Sequence, residues 1–148
     1  GETFASSRAA LVKLKQAGIQ SSVMILNGMG GRRFSQQHAI NSARLMNATQ
    51  PEYLSTLVVS FPLGEERVQA GFNGQFEPLD QMSLFHEIRT LLQHLELDNT
   101  VFRSDHASNY LVLKGTLGAD KQAMLEKVDL AINQPGRIPL RPEWMRGL

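Results

Sequence analysis

The chain has 148 residues, 42% of them hydrophobic, which suits one compact domain with a real core and argues against disorder. Its 15 Lys and Arg and 14 Asp and Glu leave a net charge of +1, which provides no global field for attracting nucleic acid or an anionic membrane. The sequence has no cysteine, which excludes disulfide bonds, thiolate zinc sites and cysteine-ligated iron–sulfur clusters within it, and no apolar run of the roughly 20 residues needed to span a bilayer.

The first third of the chain predicts a helix, a strand and a second helix. Residues 3–17 carry apolar side chains at helical spacing. Residues 19–26 form a short apolar run, typical of a buried strand, and a glycine-rich turn at residues 28–31 follows it. The second helix is expected to begin at Ser35 and to stop near Pro51.

The middle third predicts a second strand and the strongest helix of the chain. The strand covers residues 53–61. Residues 71–78 leave two interpretations open, a hairpin turning at Asn73-Gly74 or a simple loop with one aromatic anchor. The helix that follows begins after a cap at Asp80. Its continuous apolar stripe consists of Leu84, Phe85, Ile88, Leu91, Leu92 and Leu95.

The last third predicts a third strand at residues 100–104, a helix at residues 120–132 and a tail at residues 136–148. Strands separated by helices should be parallel and joined by right-handed crossovers. We therefore expect a single α/β domain, or a fragment of one, over residues 1–148, in which the three predicted strands are parallel. Because three strands make a small sheet and a helix comes first, we expect further strands or a partner at the sheet's edge. The cytoplasm is the expected compartment.

Loops that follow the predicted strands are the expected place for a ligand, because parallel α/β sheets bind ligands at the carboxyl ends of their strands. Three loops qualify, at residues 28–33, 60–66 and 103–109. In the predicted fold they face the same way and should converge at one rim of the sheet.

The first of these loops, Gly28-Met29-Gly30-Gly31, has two interpretations. Its glycines would let backbone approach a ligand, and it precedes a helix N-terminus with Arg32 beside it, which would suit an anion. It matches neither the dinucleotide fingerprint nor the P-loop. A tight strand-to-helix turn explains the same glycines equally well.

The segment at residues 103–109 is the densest polar stretch after a predicted strand. A hydrolytic triad is disfavoured, because triad members meet through space and are rarely neighbours in sequence. Asp105 and Asn109 also suit caps and turns. The preferred functional interpretation is the polar floor of a substrate pocket, formed by Arg103, Asp105, His106 and Asn109. The spacing of the four histidines indicates no metal site.

The tail at residues 136–148 is rich in arginine. Arg137, Arg141 and Arg146 surround Glu143, so a solvated surface or docking against the rest of the fold is favoured over nucleic-acid binding.

Several segments together resemble the C-terminal half of radical S-adenosylmethionine proteins, in the branch of B12-independent iron–sulfur oxidoreductases of uncharacterised substrate. The most specific is Phe102-Arg103-Ser104-Asp105-His106-Ala107-Ser108-Asn109-Tyr110-Leu111. The others lie at residues 23–31, 38–43, 54–60, 74–79, 114–121 and 140–148. The resemblance spans nearly the whole chain, although no single piece is as sharp as a CxxxCxxC motif.

The resemblance implies the back half of a partial (β/α) barrel. In such proteins a CxxxCxxC loop near the start of the barrel holds a [4Fe–4S] cluster, which binds and reductively cleaves S-adenosylmethionine to a 5′-deoxyadenosyl radical. The turn after the fifth strand and the end of the sixth help to bind the nucleoside. The corresponding residues here are Gly28, Met29, Gly30, Gly31, Val59 and Ser60. The cysteine motif is absent, so this chain cannot bind the cluster by itself.

Three hypotheses follow. The leading one is the C-terminal portion of a radical S-adenosylmethionine enzyme, inactive alone, partnered by the N-terminal part of the same polypeptide, acting on a small molecule, and able to form homo-oligomers through its uncovered edge. The alternative is a non-catalytic α/β module that binds an anionic small ligand at residues 28–33. A third is a protein-interaction domain that uses the sheet edge and the tail around Trp144. None of the three involves nucleic acid or a membrane.

Overall fold

The computed structural model of the chain describes residues 1–147, which form an open four-stranded sheet with helices. Strands β1 (Ser22–Asn27), β2 (Tyr53–Val58) and β3 (Val101–Ser104) are parallel neighbours in that order. Strand β4 (Leu113–Thr116) pairs antiparallel with β3. The predicted α/β class, with parallel strands alternating with helices, is confirmed, and residues 1–147 form an open sheet that does not close into a barrel.

Residues 1–147 contain five α-helices. They are α1 (Phe4–Gln16), α2 (Gly31–Thr49), α3 (Glu66–Gly71), α4 (Gln81–His94) and α5 (Lys121–Asn133). Helix α1 begins with a capping box, in which the side chains of Thr3 and Ser6 each accept a hydrogen bond from the other residue's backbone N–H. The tail adds two short 3₁₀ turns, Pro135–Arg137 and Glu143–Met145.

The core lies between one face of the sheet and helices α2, α4 and α5. Each strand contributes one buried hydrophobic side chain to it, and these are Ile25, Leu54, Phe102 and Leu113. Helix α4 lies between α2 and α5 and contacts both. Its predicted apolar stripe is buried as expected, because every third or fourth residue of the helix points at the sheet.

The opposite face of the sheet is uncovered. Side chains alternate between the two faces of a strand, so the neighbours of the core residues point the other way. This open face carries Ser22, Met24, Leu26, Tyr53, Ser55, Leu57, Val101, Arg103 and Lys114. Met24 is 59% exposed and Tyr53 is 44% exposed, so the helices of residues 1–147 leave apolar side chains of the sheet in contact with solvent.

The three predicted strands are parallel, as expected, but the sequence did not predict the antiparallel strand β4. This strand runs back beside β3 after a loop at residues 105–112, and an antiparallel neighbour needs no helical crossover. Its four residues include the exposed Lys114 and a glycine, Gly115, which weaken the strand signal in the sequence.

The structure also decides between the two interpretations of residues 71–78. The hairpin is wrong and the loop is right, because the short helix α3 ends at this point. Asn73 and Gly74 follow it with positive φ values of 53° and 74°, as a turn rather than as the tip of paired strands. Helix α2 begins at Gly31, four residues before the predicted start at Ser35.

Replacing Asp80 by alanine should remove the cap of α4. One carboxylate oxygen accepts the Ser83 backbone N–H at 2.8 Å and the other meets the Arg32 guanidinium at 2.7 Å. These contacts, the Ser83 N–H first among them, hold the pKa of Asp80 well below its usual range. We expect Asp80→Ala to lower the free energy of unfolding, measured with urea at pH 7, by about 1 kcal/mol.

The matched control is Asp98→Ala, since that exposed carboxylate forms no hydrogen bond or ion pair within residues 1–147; its effect should stay below about 0.5 kcal/mol. Because the folded-state pKa of Asp80 lies below the unfolded value of about 4, the stabilisation is complete above that pH and is lost as the pH falls further. Equal losses in the two variants at pH 7 would contradict the capping role.

Candidate functional site

The three loops that follow the parallel strands meet at one end of the sheet, as predicted. We call the residues 28–33, 60–66 and 103–109 together the rim. The Val59 backbone N–H donates to the Asn27 carbonyl at 2.9 Å, which joins the first two loops. The Val58 N–H donates to the Ser108 hydroxyl at 3.0 Å, which joins the second loop to the third.

The glycine turn of the rim is shaped by contacts within the protein. Gly28 and Gly31 have φ values of +86° and +57°, which side chains with a Cβ rarely adopt. A Cβ on Gly31 would lie 3.0 Å from the Glu77 carbonyl oxygen. The Gly31 N–H donates to the Gly28 carbonyl, and the Arg32 N–H donates to Glu77. The conformation of the turn therefore requires these glycines, with or without a ligand.

A buried carboxylate, Glu87 of α4, lies directly beneath this turn. Its side chain is 1% exposed. One oxygen accepts the Gly28 backbone N–H at 2.6 Å and the other accepts the Ser35 hydroxyl at 2.5 Å. His38 Nδ1 lies 3.6 Å from the first oxygen and has no hydrogen-bond partner within residues 1–147. The Glu87 side chain thus links α4 by hydrogen bonds to the turn after β1 and to helix α2.

Sequence reasoning missed Glu87, although the sequence contains a signal for it. The residue lies three positions after Leu84 and four before Leu91, so it falls inside the apolar stripe of α4 rather than on its polar face. A carboxylate at such a position must find buried donors, because an unpaired one would be too costly to bury. The identity of those donors depends on tertiary packing and could not be read from spacing.

The arginines beside the turn already have partners. Arg32 is paired with Asp80 at 2.7 Å, and Arg33 donates to the Gln75 side chain at 2.8 Å. A buried carboxylate lies below the turn, and the N–H groups of Gly28, Met29, Gly31 and Arg32 are bonded within the protein, so no observation favours an anionic ligand there. The alternative hypothesis of an anion-binding module therefore gains no support from the geometry.

The residues expected at the cofactor divide into two groups. Gly28, Gly30 and Gly31 are buried backbone, whereas Met29 and Ser60 are exposed at the rim. Val59 is half-buried, and its side chain lies 3.4 Å from where a Cβ of Gly28 would stand. The structure thus brings the end of the second strand against the glycine turn.

Met29 and Ser60 also line a cavity of about 640 Å³ that the sequence did not indicate. It opens between the first two loops of the rim and helix α3. Its apolar lining comprises Met29, Phe61, Pro62, Leu63, Val68 and Phe72. These side chains come from three separate segments, and no periodic pattern links them in the sequence.

The side chains of the four residues expected at the substrate pocket do not line a common pocket. Arg103 is exposed on the open face, and Asp105 reaches the same face through an ion pair with Lys114 at 2.8 Å, which lowers the pKa of Asp105. His106 is exposed and its Nδ1 lies 2.9 Å from the Ser108 hydroxyl. Asn109 points inward.

The Asn109 side chain is used within the protein. The side chain is buried and donates to the Thr56 carbonyl at 2.9 Å, so it fastens the third loop to β2. The cavity beside it measures only about 20 Å³, which is too small for a substrate.

The arginine-rich tail docks on the third loop, which is one of the two outcomes that the sequence allowed. The Arg141 guanidinium donates to the carbonyls of Asp105, His106 and Asn109 at 2.7–3.0 Å. Arg146 donates to the Ser108 carbonyl and lies 3.8 Å from the centre of the Tyr110 ring. The loop is therefore held by the tail on its helical side.

Comparisons with protein-family models, with curated proteins and with solved structures gave no match. Within residues 1–147, no three His, Asp or Glu side chains are grouped closely enough to hold a metal ion. The helices in that range are too short or too polar to traverse a bilayer.

Replacing Glu87 by alanine should destabilise the protein strongly. The change leaves the Gly28 N–H and the Ser35 hydroxyl without their acceptor, so we expect a loss of about 3 kcal/mol in the free energy of unfolding, measured with urea. Glu87→Gln keeps an acceptor oxygen and should cost less. The exposed Glu126 supplies the control, and Glu126→Ala should change stability by less than about 0.5 kcal/mol. Similar small effects at both sites would contradict the role of Glu87.

Tyr110 should titrate unusually late. Burial first, and then the hydrogen bond that its hydroxyl donates to Glu143, raise the pKa of Tyr110 to about 12. In a Tyr53→Phe variant, Tyr110 is the remaining tyrosine, so tyrosinate absorbance follows it alone. Adding Glu143→Gln should lower the pKa part of the way toward the ordinary value of about 10, because burial persists. A titration centred near pH 10 before that change would refute the docked tail.

Proposed function

We propose that this chain is the C-terminal portion of a radical S-adenosylmethionine enzyme, in which it supplies part of the nucleoside site and of the substrate pocket and is not catalytic alone. The observation that supports this is the combination of an open sheet face with a rim at the carboxyl ends of parallel strands. In (β/α) barrels the helices lie outside, the inner face of the sheet lines the interior, and ligands bind at the carboxyl ends of the strands.

The antiparallel β4 fits a partial barrel rather than a closed one. It ends the parallel series at β3, so further parallel strands could be added only at the free edge of β1. We propose that the N-terminal part of the same polypeptide pairs with that edge and faces the open side of the sheet. An exposed edge and an apolar face are surfaces that proteins usually cover.

We propose that this chain contributes to the site of one of the two implied groups and not to that of the other. A [4Fe–4S] cluster needs thiolate ligands, and the sequence has no cysteine, so this chain does not hold the cluster. The nucleoside would contact the glycine turn from Gly28 to Gly31 together with Val59 and Ser60. Bound in the parent enzyme and reduced by one electron from the cluster, S-adenosylmethionine would supply the radical that abstracts hydrogen from a small molecule. In this proposal the residues of this chain orient S-adenosylmethionine and the substrate relative to each other. We propose the cytoplasm as the compartment of the enzyme.

A tryptophan at Ser60 tests the proposal in the complete polypeptide. Ser60 is exposed at the rim, so Ser60→Trp should obstruct the nucleoside without disturbing the core. After anaerobic reconstitution with iron and sulfide, we expect this variant to raise the Kd for S-adenosylmethionine by about tenfold or more.

The matched control is Gln122→Trp, which adds the same side chain to an exposed position near the start of α5, away from the rim and from the open face. Its Kd should change by less than about twofold. A polypeptide that lacks three clustered cysteines before this segment, or equal effects at Ser60 and Gln122, would refute the proposed function.

A further inference from the structure

The apolar cavity at the rim has the size and lining of a small-molecule site. Its volume of about 640 Å³ falls within the range of about 300–1,000 Å³ that such sites occupy. Among its lining side chains only those of Ser60, Glu66 and Arg67 are polar.

The walls of the cavity are held by packing that is already in place. The Phe76 ring is buried and lies edge-on to Phe61 and Phe72, with ring centres 5.5 and 5.1 Å apart. The Gln69 side chain bonds both the N–H and the carbonyl of Phe76, which ties α3 to the loop after it. A ligand would therefore meet a preformed surface and would not have to order it.

The mouth of the cavity carries one unpaired cation. Arg67 is exposed and forms no ion pair with residues 1–147, whereas the Glu66 carboxylate folds back against Gly64. Beside them Leu63 is 98% exposed, an apolar side chain with nothing to cover it at the lip. This arrangement suits a molecule that has an apolar body and an acidic group.

We infer that this cavity binds the apolar portion of an anionic small molecule, an aromatic or aliphatic carboxylate or sulfonate, with its acidic group at Arg67. A nucleobase fits less well, because its polar edge would lose water without gaining enough partners from so apolar a lining. Resting on the proposed function, the occupant is the substrate, and the shared residues Met29 and Ser60 place it beside the nucleoside, as hydrogen abstraction between two bound molecules requires.

The test uses 8-anilinonaphthalene-1-sulfonate, a fluorescent probe that is both aromatic and anionic, titrated into the 148-residue chain. Gly71 lines the cavity, and a Cβ built there meets no atom within 4 Å, so Gly71→Leu should fill the cavity while the fold is kept. We expect one probe per chain, weakened about tenfold or more by Gly71→Leu. Gly136 has equally free space outside the cavity, and Gly136→Leu should leave binding within about twofold.

The charge is tested separately from the apolar contact. Arg67→Gln should weaken the anionic probe about fivefold and should leave its uncharged analogue, N-phenyl-1-naphthylamine, unchanged. The control is the exposed Arg8, because Arg8→Gln removes the same charge outside the cavity. This variant should not change the affinity for either probe.

Three results would overturn the inference. Binding could persist in Gly71→Leu, it could be removed instead by Met24→Asp on the open face, or adenosine could displace the probe. The probe requires neither cluster nor S-adenosylmethionine, so failure of the proposed function leaves this titration as expected. Failure here leaves binding of S-adenosylmethionine to the complete polypeptide intact.

Discussion

One-sided burial of the sheet is the constraint on which the rest of the structure depends. Helices α2, α4 and α5 all pack on the face that presents Ile25, Leu54 and Phe102, and each such side chain contributes roughly 1.5–3 kcal/mol when buried. Sheets of parallel strands are usually covered on both faces. Here the second face presents exposed Met24 and Tyr53, as expected for a sheet whose second face is covered by another part of a barrel or by a partner.

The rim is fixed from the helical side and left free on the open side. Glu87 holds the glycine turn through the Gly28 N–H, and Arg141 and Arg146 hold the third loop through its carbonyls. Asn109 joins that loop to β2. These bonds lie at or behind the ends of the strands, so they hold the loops without using the side chains that line the apolar cavity.

Local signals in the sequence predicted the parts of the fold that depend on local pattern. The stripe of α4 and its cap at Asp80 follow from periodicity and capping chemistry. The parallel direction of the three predicted strands follows from the helices between them. Strand β4 was missed, because four residues containing Lys114 and Gly115 are stabilised by pairing with β3 and not by their own propensity. The role of Glu87 and the inward turn of Asn109 depend on partners more than 50 residues away in sequence.

Oxidation of methionines by dilute hydrogen peroxide, followed by mass spectrometry of peptides, tests the open face most directly, because the reaction depends on exposure of the thioether. Met24 on the open face is 59% exposed and Met145 in the tail is 53% exposed, whereas Met46 and Met124 in the core are each 1% exposed. We expect Met24 to react about as fast as Met145 and at least about tenfold faster than Met46 and Met124. A Met24 that reacts as slowly as Met46 would show that this face is covered and would contradict the account.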